Sequence, residues 1–405
     1  MAKTFLYQAK DRSGQLLTGT ILAENENAVA AFIRGKGYFV TNIKRKNEAS
    51  SLSGIIKNLQ RITSKDLAVF CRQFSTMVDA GLSLIACLNI LIEQTYNSRL
   101  KLALQDIYRK VQEGESLSKS MQDHPRVFPS LMVSMIEAGE LGGVLDDVLN
   151  RLAVHFEKEH KMNEKVKSAM TYPIVVIIMA VLVVVFILTF VLPTFMHMFE
   201  QMKVELPLPT RILLATSGFV TNNWLLLLVF FVALGLGFTI LYKRPKAKQY
   251  IDKVILYLPV FGMLLRKIAI ARFSRTLGTL IRGGVPIISA LEVVKKTTAN
   301  TSMISALTSA QASVREGLGL STPLGASSIF TAMVVQMIAV GEETGELDKM
   351  LDKIADFYEN DVDDVVSRLS SMLEPLLIAF LGIVIGLIVI SVALPMFDAI
   401  TAVGR

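Results

Sequence analysis

Residues 135–147 read MIEAGELGGVLDD, and residues 337–348 read MIAVGEETGELD. Both stretches carry a Gly-Glu pair, a second glycine and a Leu-Asp pair at the same spacing. The matching positions lie 202 residues apart: Gly139, Glu140, Gly143, Leu145 and Asp146 correspond to Gly341, Glu342, Gly345, Leu347 and Asp348. The chain therefore contains two copies of one unit.

The duplication extends in both directions from these stretches. Upstream the offset is 203 residues, where Phe70, Arg72, Gly81, Leu88, Glu113 and Gly114 match Phe273, Arg275, Gly284, Leu291, Glu316 and Gly317. Downstream the offset is 202 again, where Pro173 and Pro193 match Pro375 and Pro395. A period this long is too large for a solenoid, so residues 66–200 and 269–402 are predicted to form a tandem pair.

The composition indicates a membrane protein with sizeable soluble parts, being 52% hydrophobic and 19% charged with a mean hydropathy of +0.49. The runs Pro173–Met196, Trp224–Tyr242 and Pro375–Phe397 contain no acidic or basic residue. Each approaches the roughly 20 apolar residues that cross a bilayer core. The shorter run Val254–Leu265 is predicted to be an interfacial or packed helix. The first sixty residues lack an apolar segment, so no signal peptide is expected.

Basic residues predict the orientation of the spans. Between Lys243 and Arg275 nine Lys or Arg residues accompany one acid, whereas the connection from His197 to Asn223 carries two basic and two acidic residues. The basic side is expected to face the cytoplasm. Around the third span the rule is weak because acidic residues precede it. The first and middle spans together cross the membrane twice between the two helical units. Both units can therefore be cytoplasmic, as we predict.

The first sixty residues are predicted to form a small separate α/β module. Phe5–Ala9 and Leu16–Leu22 have strand character around a turn at residues 11–14, Asn27–Arg34 has helical periodicity, and Tyr38–Ile43 returns to strand. A polar linker follows at residues 47–54. Basic residues around this linker either contact anionic membrane lipids or only keep the linker solvated.

The two long units are predicted to be helical bundles. Apolar residues recur at three- and four-residue spacing, and glycine turns cut the pattern into about six short antiparallel helices per unit. The fold class is therefore a mainly α, polytopic membrane protein with two tandem homologous cytoplasmic bundles, three transmembrane helices and the small N-terminal α/β domain. The predicted boundaries are 1–62, 63–171, 172–196, 197–223, 224–242, 243–373, 374–397 and 398–405.

Signatures of catalysis are missing from the sequence. It contains no GxxxxGK[ST] phosphate loop and no HExxH pair, so neither a P-loop nucleotide site nor this kind of zinc site is expected. His155 and His160 are predicted to lie on a solvated, charged helix face. Cys71 and Cys87 lack CxxC spacing and are predicted to be reduced structural thiols. We expect no enzymatic activity and no cofactor.

The acidic glycine elements have three interpretations. In the first they are tight turns, in which Gly139 or Gly143 ends one helix and the acids cap the next. In the second they contact a partner. In the third Glu140 and Asp146 contribute to a cation site, which would need more oxygen ligands than one segment offers. The candidate partner contacts are Arg72, Glu137, Gly139, Glu140, Asp146, Arg275, Gly341, Glu342, Gly345 and Asp348.

Together these features resemble the type II secretion system protein F family, which includes the inner-membrane platform proteins of type IV pili. The resemblance rests on the Phe70-x-Arg72-x-Phe74 start, the glycine turns, the Glu-Gly pairs, the duplicated acidic elements and the proline-bounded spans. It covers essentially the whole chain. Two departures separate the halves: Tyr172-Pro173 becomes Glu374-Pro375, and the basic approach to the first span becomes acidic before the third.

The resemblance implies a platform in the bacterial inner membrane, with a cytoplasmic N-terminus, that takes conformational work from a cytoplasmic hexameric ATPase. Its expected partners are pilin or pseudopilin subunits, other inner-membrane machine subunits and membrane lipids, but no nucleic acid. The resemblance does not separate a pilus machine from a secretion machine, nor identify the ATPase or the bundle to which it docks. The alternative function is a transporter or permease subunit, which the lack of charged residues in the spans disfavours.

Packing within the membrane is predicted from prolines and glycines. Gly382 and Gly386 form a GxxxG pattern, which allows close helix packing inside the chain, in a dimer or against a pilin. A homodimer or higher oligomer is expected because closed symmetric assemblies are common. The predicted packing positions are Pro173, Pro193, Pro375, Gly382, Gly386 and Pro395.

Overall fold

The computed structural model describes residues 3–10, 16–23, 26–35, 37–45, 61–195, 207–242, 244–257, 261–298 and 300–403. The chain divides into two compact units. One comprises Met1–Ile62 with Thr95–Leu102, and the other comprises Thr63–Gln94 with Ala103–Arg405. The predicted turn at residues 11–14 and the linker at 47–54 lie outside the described residues.

The N-terminal elements occur in the order β-β-α-β. They are β1 (Lys3–Lys10), β2 (Leu16–Ala23), α1 (Glu26–Gly35) and β3 (Phe39–Arg45). The sheet order is β2-β1-β3 with both pairings antiparallel. Alternate residues of a strand face the same side, so Phe5 and Ala9 of β1 pack with Val29 and Ile33 of the helix.

Each copy of the repeat contains six helices among the described residues. Those of the first copy are α2 (Ser64–Asp79), α3 (Leu84–Gln94), α4 (Ser98–Gln112), α5 (Leu117–Gln122), α6 (Ser130–Gly142) and α7 (Leu145–Phe186). A π-helix, Ile187–Val191, continues α7. Three helices lie between the copies: α8 (Leu208–Asn222), α9 (Trp224–Tyr242) and α10 (Pro245–Tyr257). The second copy begins with α11 (Phe261–Arg282). The last five are α12 (Ile287–Thr297), α13 (Thr301–Arg315), α14 (Ser321–Gly325), α15 (Ala332–Thr344) and α16 (Leu347–Val403).

The helix ends repeat as closely as the sequence does. Helices α3 and α4 match α12 and α13 at an offset of 203 residues, and α6 and the start of α7 match α15 and the start of α16 at 202. The single lost residue therefore lies between α14 and α15. Three pairs of equivalent turns are closed by glycines with positive φ, among them Gly81 (φ 81°) and Gly284 (φ 80°), a conformation that favours glycine.

The cores of the two bundles are equivalent as well. In the first, Phe70 packs against Phe128 with ring centroids 6.1 Å apart. In the second, Phe273 packs against Phe330 at 5.0 Å. All four rings are buried, and burying such a side chain contributes roughly 1.5–3 kcal/mol. Helix α2 begins with a capping box of Thr63 and Asp66, which satisfies exposed N–H groups at its start.

Among the described residues, three helices are long and apolar enough to cross a membrane. Their apolar parts lie in Leu145–Phe195, Trp224–Tyr242 and Leu377–Leu394. The last helix of each copy is not short, contrary to prediction. Helix α7 has 42 residues and α16 has 57, and each runs unbroken from its bundle into the apolar span. Since α-helices rise 1.5 Å per residue, α16 is roughly 85 Å long.

Two predicted segments, one a loop and one a helix, differ in the structure. The connection predicted as a loop from 197 to 223 contains α8, and its first ten residues lie outside the described ones. The apolar run Val254–Leu265 is divided between the end of α10 and the start of α11. Leu264 of this run is buried in a cluster with Val362, Val366 and Leu369 of α16.

Candidate functional site

The carboxylate of Glu140 lies at the N-terminus of α5. It accepts hydrogen bonds from the backbone N–H groups of Leu117 (2.6 Å) and Ser118 (3.0 Å) and from the Ser118 hydroxyl. The first N–H groups of a helix have no partner inside it, and the helix dipole favours a negative charge there. Glu140 therefore ties α6 to the start of α5.

Glu342 makes the equivalent contacts in the second copy. Its carboxylate accepts hydrogen bonds from the backbone N–H groups of Leu320 and Ser321, the latter at 3.1 Å. Both oxygens of each glutamate are thus used within its own bundle. The described residues contain no group of three His, Cys, Asp or Glu that could hold a metal ion.

The glycines of these elements have two separate roles. Gly143 (φ 68°) and Gly345 (φ 74°) end α6 and α15 in the left-handed conformation, as the turn interpretation predicts for Gly143. Gly139 and Gly341 instead lie inside these helices. A Cβ at Gly341 would lie 2.9 Å from the Leu347 Cα, so the glycine permits close approach of the following helix.

The remaining acidic candidates differ in the solvent exposure of their side chains. Glu137 is exposed on α6, one turn before Glu140. Asp146 is half-buried at the start of α7, where its backbone carbonyl accepts a hydrogen bond from the Ser75 hydroxyl at 3.2 Å. Asp348 forms an ion pair with Arg282 at 3.3 Å. Of the predicted acidic contacts, only Glu137 presents its side chain freely to solvent.

Arg72 and Arg275 join the first helix of each copy to its last. Arg72 donates two hydrogen bonds to Glu157, both 2.9 Å, and one to Asn150 at 2.6 Å. Arg275 contacts Glu359, Asp352 and Asp356, at 2.8, 3.2 and 2.5 Å. Glu359 and Asp352 are the repeat equivalents of Glu157 and Asn150. Both arginines are therefore engaged within their own bundles, although the Arg72 side chain remains 42% exposed while that of Arg275 is 11% exposed.

The basic and acidic approaches to the spans meet each other. Lys158 of α7 lies 2.7 Å from Asp356 of α16 and 3.9 Å from Glu359, and Lys165 of α7 pairs with Asp363. Both pairs Lys158–Asp356 and Lys165–Asp363 have a separation of 198 residues, so the helices run parallel and in register over two turns. We call these five residues the inter-repeat seam.

The inter-repeat seam explains the departure between the two halves. The lysines of α7 have no basic counterparts in α16, and Asp363 corresponds to Lys161, so an unchanged copy would place two lysines together at the Lys165–Asp363 contact. Beneath the charges, Val166 and Ala169 of α7 pack against the cluster formed by Leu264 and α16. The sequence shows these charges, but the candidate contact residues did not include them. Their opposite signs are the feature from which the pairing of the two helices could have been predicted.

The charges of the seam influence one another. Burial opposes the charge of Arg275, but hydrogen bonds to Glu359 and Asp356 raise its pKa above the usual value. Burial likewise opposes the charge of Asp356, while hydrogen bonds from Lys158 and Arg275 lower the pKa of this carboxyl. Because Lys158 and Asp356 are partly exposed, this pair contributes at most about 1 kcal/mol.

His155 is buried, so the prediction of a solvated face is wrong for this residue. Its Nδ1 lies 3.3 Å from the hydroxyl of Thr279, which donates its own proton to the carbonyl of Arg275 at 2.7 Å. The imidazole nitrogen is therefore the donor. Burial, and then the positive charge of Arg275, lower the pKa of His155 to about 4, so the ring is neutral at physiological pH.

A cavity of about 340 Å³ lies beside His155 between the two copies. It is lined by residues of both, including Phe156 and Arg272. The two cysteines are free and buried, as predicted for structural thiols, and burial raises the pKa of each thiol.

The membrane packing candidates differ in their surroundings. Pro173 is buried inside α7, Pro193 is half-buried beyond the π-helix, and Pro375 is exposed on α16. Pro395 lies within the same helix. A Cβ at Gly382 or Gly386 would meet nothing within 4 Å, so this GxxxG pattern does not pack against any described part of the chain.

Comparisons with known proteins match almost the entire chain. The family model described as type II secretion system (T2SS), protein F matches residues 70–193 and again 273–395, and the model of its N-terminal domain matches residues 1–44. A type IV pilus assembly protein PilC from Thermus thermophilus is 41% identical over 98% of both chains. One from Myxococcus xanthus is 42% identical over 85% of this chain and 83% of its own. A type II secretion system protein F from Xanthomonas campestris is 32% identical over 99% of both.

Proposed function

Because this chain belongs to the type II secretion system protein F family, we propose that it is the inner-membrane platform of a type IV pilus or type II secretion machine. The pilus and secretion relatives cover nearly its full length. In this role the chain couples a cytoplasmic hexameric ATPase to the insertion of pilin or pseudopilin subunits into a filament.

The observation that carries this proposal is the unbroken passage of each bundle into the membrane. Helices α7 and α16 begin in the bundles and continue through the apolar spans without an intervening loop. A continuous helix transmits rotation or tilt more directly than a flexible linker. Movement imposed on a bundle therefore reaches the membrane as movement of the span.

The inter-repeat seam makes the two spans move as a pair. Its ion pairs and the apolar cluster beneath them join α7 and α16 just before the spans. We propose that the bundles and the N-terminus face the cytoplasm, as the basic residues after α9 favour. The ATPase then acts on the bundles, and the exposed apolar spans receive the pilin helix.

The chain is proposed to have no catalytic step of its own. Its motifs contain no phosphate loop, so the work of assembly comes from the ATPase. Glu137 is the acidic candidate best placed to contact a partner, since its side chain is exposed and Glu140 is engaged inside the bundle.

Deletion of the gene in its own host, with complementation, tests the function. Surface filaments are counted by electron microscopy, and exported proteins are measured in the medium. Loss of filaments identifies a pilus platform, and loss of secretion with intact filaments identifies a secretion platform. If neither changes, the platform proposal fails and the transporter alternative returns.

A further inference from the structure

Helix α8 has its polar and apolar faces reversed relative to a helix on a water-soluble protein. Its exposed residues include an apolar stripe whose members recur at helical spacing, flanked by the exposed Arg211 and Thr216: Leu208, Ile212, Ala215 and Phe219. Its buried face carries the hydroxyl residues Thr210 and Ser217. A helix in water buries its apolar stripe. The arrangement in α8 is the one expected where the surrounding solvent is lipid.

Two hydroxyl groups attach α8 to the two repeat spans. The Thr210 hydroxyl donates a hydrogen bond to the carbonyl of Ser391 in α16, and the Ser217 hydroxyl donates one to the carbonyl of Leu188. Both distances are 2.6 Å, and both contacts are buried. Hydroxyl groups that bond across helices are typical of helix packing inside membranes.

The π-helix explains why a carbonyl is available at Leu188. In a π-helix the hydrogen bonds run over five residues, as in the bond from the Leu192 N–H to the Ile187 carbonyl. This change of register frees carbonyl groups that an α-helix would use. Within a membrane a freed carbonyl needs another donor, and Ser217 of α8 supplies it.

Both attachment points lie in the half of the spans away from the bundles, and in the 198-residue register of the seam Ser391 lies five residues, about 7 Å, further along than Leu188. Leu188 is 15 residues beyond Pro173, and Ser391 is 16 beyond the equivalent Pro375, which corresponds to about 22–24 Å along each span. The hydrocarbon core is about 30 Å thick, so both points lie within its outer half. Thr210 and Ser217 are separated by about 10 Å along α8, the distance between axes of packed helices. Helix α8 therefore crosses the two spans instead of running along either.

We propose that Leu208–Asn222 is a membrane-embedded helix in the outer leaflet, with its apolar stripe against lipid acyl chains. It braces the first and third spans to each other at the end opposite the inter-repeat seam. The stripe continues the exposed apolar surface of α9, which starts at Trp224 directly after it. This assignment replaces an aqueous loop; it rests on the proposed cytoplasmic orientation of the bundles but not on the platform function.

Tryptophan fluorescence in vesicles tests the location. The chain has a single tryptophan, so a Trp224→Phe background allows one reporter at a time. Phe219→Trp places the reporter on the stripe. Phe230→Trp, exposed in the middle of α9, is the membrane control, and Tyr96→Trp, at a fully exposed position outside the spans, is the aqueous control. Phosphatidylcholine vesicles carry nitroxide groups either near the headgroup or deep in the acyl chain.

The Phe219→Trp reporter is expected to lose most of its emission with the shallow nitroxide, less with the deep one, and little with aqueous iodide. Phe230→Trp should prefer the deep nitroxide, and Tyr96→Trp should respond to iodide alone. Quenching of Phe219→Trp by iodide alone would show that the segment lies in water, which contradicts the proposal. Protection from all three quenchers would show that another protein chain covers the stripe, which also contradicts the proposal.

Discussion

Equivalent positions of the two copies hold Cys71 and Ser274, and both side chains are buried. The Ser274 hydroxyl has no hydrogen-bond partner among the described residues. A hydroxyl that leaves water without gaining a partner lowers stability, whereas a thiol behaves as a small apolar group. At this position the second core is therefore expected to be less stable than the first, although the two cores otherwise match.

Replacing this serine should therefore stabilise the second bundle. We expect Ser274→Ala to raise the free energy of unfolding by about 1 kcal/mol, because it removes an unpaired polar atom. Ser75→Ala is the matched control, since the Ser75 hydroxyl has an acceptor in the Asp146 carbonyl and its removal should lower stability. Thermal unfolding of both variants in detergent measures the difference. A lower midpoint for Ser274→Ala would show that the hydroxyl has a partner in solution.

Charge reversal on α6 separates a structural role from a partner contact. Glu140→Lys should lower the stability of the first bundle by about 1–3 kcal/mol, because it leaves the α5 N–H groups without their acceptor. Glu137→Lys, one turn away and exposed, should leave unfolding unchanged. Membrane insertion, unfolding midpoint and filament number are measured for both.

The outcomes for these two variants are distinct. Loss of filaments in Glu137→Lys at normal stability would identify a partner surface on α6. Charge reversal at Glu140 or Glu342 is expected to abolish assembly while membrane insertion remains. Normal filaments in both the Glu140 and Glu342 variants would contradict it.

Among the described elements, α7 and α16 are the longest helices. They have equivalent starts, run parallel and carry opposite charges where they meet. Complementary charge explains why a duplicated sequence has diverged at this face. In an identical copy of α7 the position of Asp363 would hold a lysine, as Lys161 does, and this lysine would repel Lys165.

Exchange of one ion pair tests the register of these helices. Lys165→Asp and Asp363→Lys should each lower the unfolding midpoint, and the double variant should recover most of the loss, with a coupling energy of about 0.5–1 kcal/mol. Lys161→Asp, exposed on the same helix, serves as the control. Unfolding is followed at low and high salt, since screening should reduce the coupling. Additive single effects would refute the pairing.

At the scale of the whole molecule, the two copies are joined by a neutral histidine as well as by charges. His155 of the first copy donates to Thr279 of the second in a buried environment. The pKa of His155 falls from 6.5 to about 4 on burial. The unfolded chain therefore binds a proton more readily than the folded one between these values.

Stability should consequently depend on pH through this contact. It is fully present above pH 6.5 and is lost as the pH falls from 6.5 towards 4, by about 3 kcal/mol in total. Unfolding midpoints of the wild type and of His155→Gln, measured between pH 7.5 and 4.5, check this. The variant should show a smaller decline with acid. Equal slopes would mean that the imidazole is accessible and titrates normally in the folded protein.

The sequence by itself determined the duplication, the mainly helical class, the three apolar spans and most turn glycines. Each of these follows from hydropathy, periodicity or a residue's own backbone preferences, and such properties are local. The repeat offset also matched residues such as Arg72 and Arg275 before any contact was visible. It could not say whether they faced a partner or the interior.

Only the tertiary structure decided which distant groups meet. Lys158 and Asp356 are separated by 198 residues, and no local pattern pairs them. The same holds for Glu140 at the start of α5, for the burial of His155, and for the attachment of α8 to Leu188 and Ser391. These contacts depend on how whole helices pack, because the energy of an ion pair or a hydrogen bond depends on the distance and burial that packing creates.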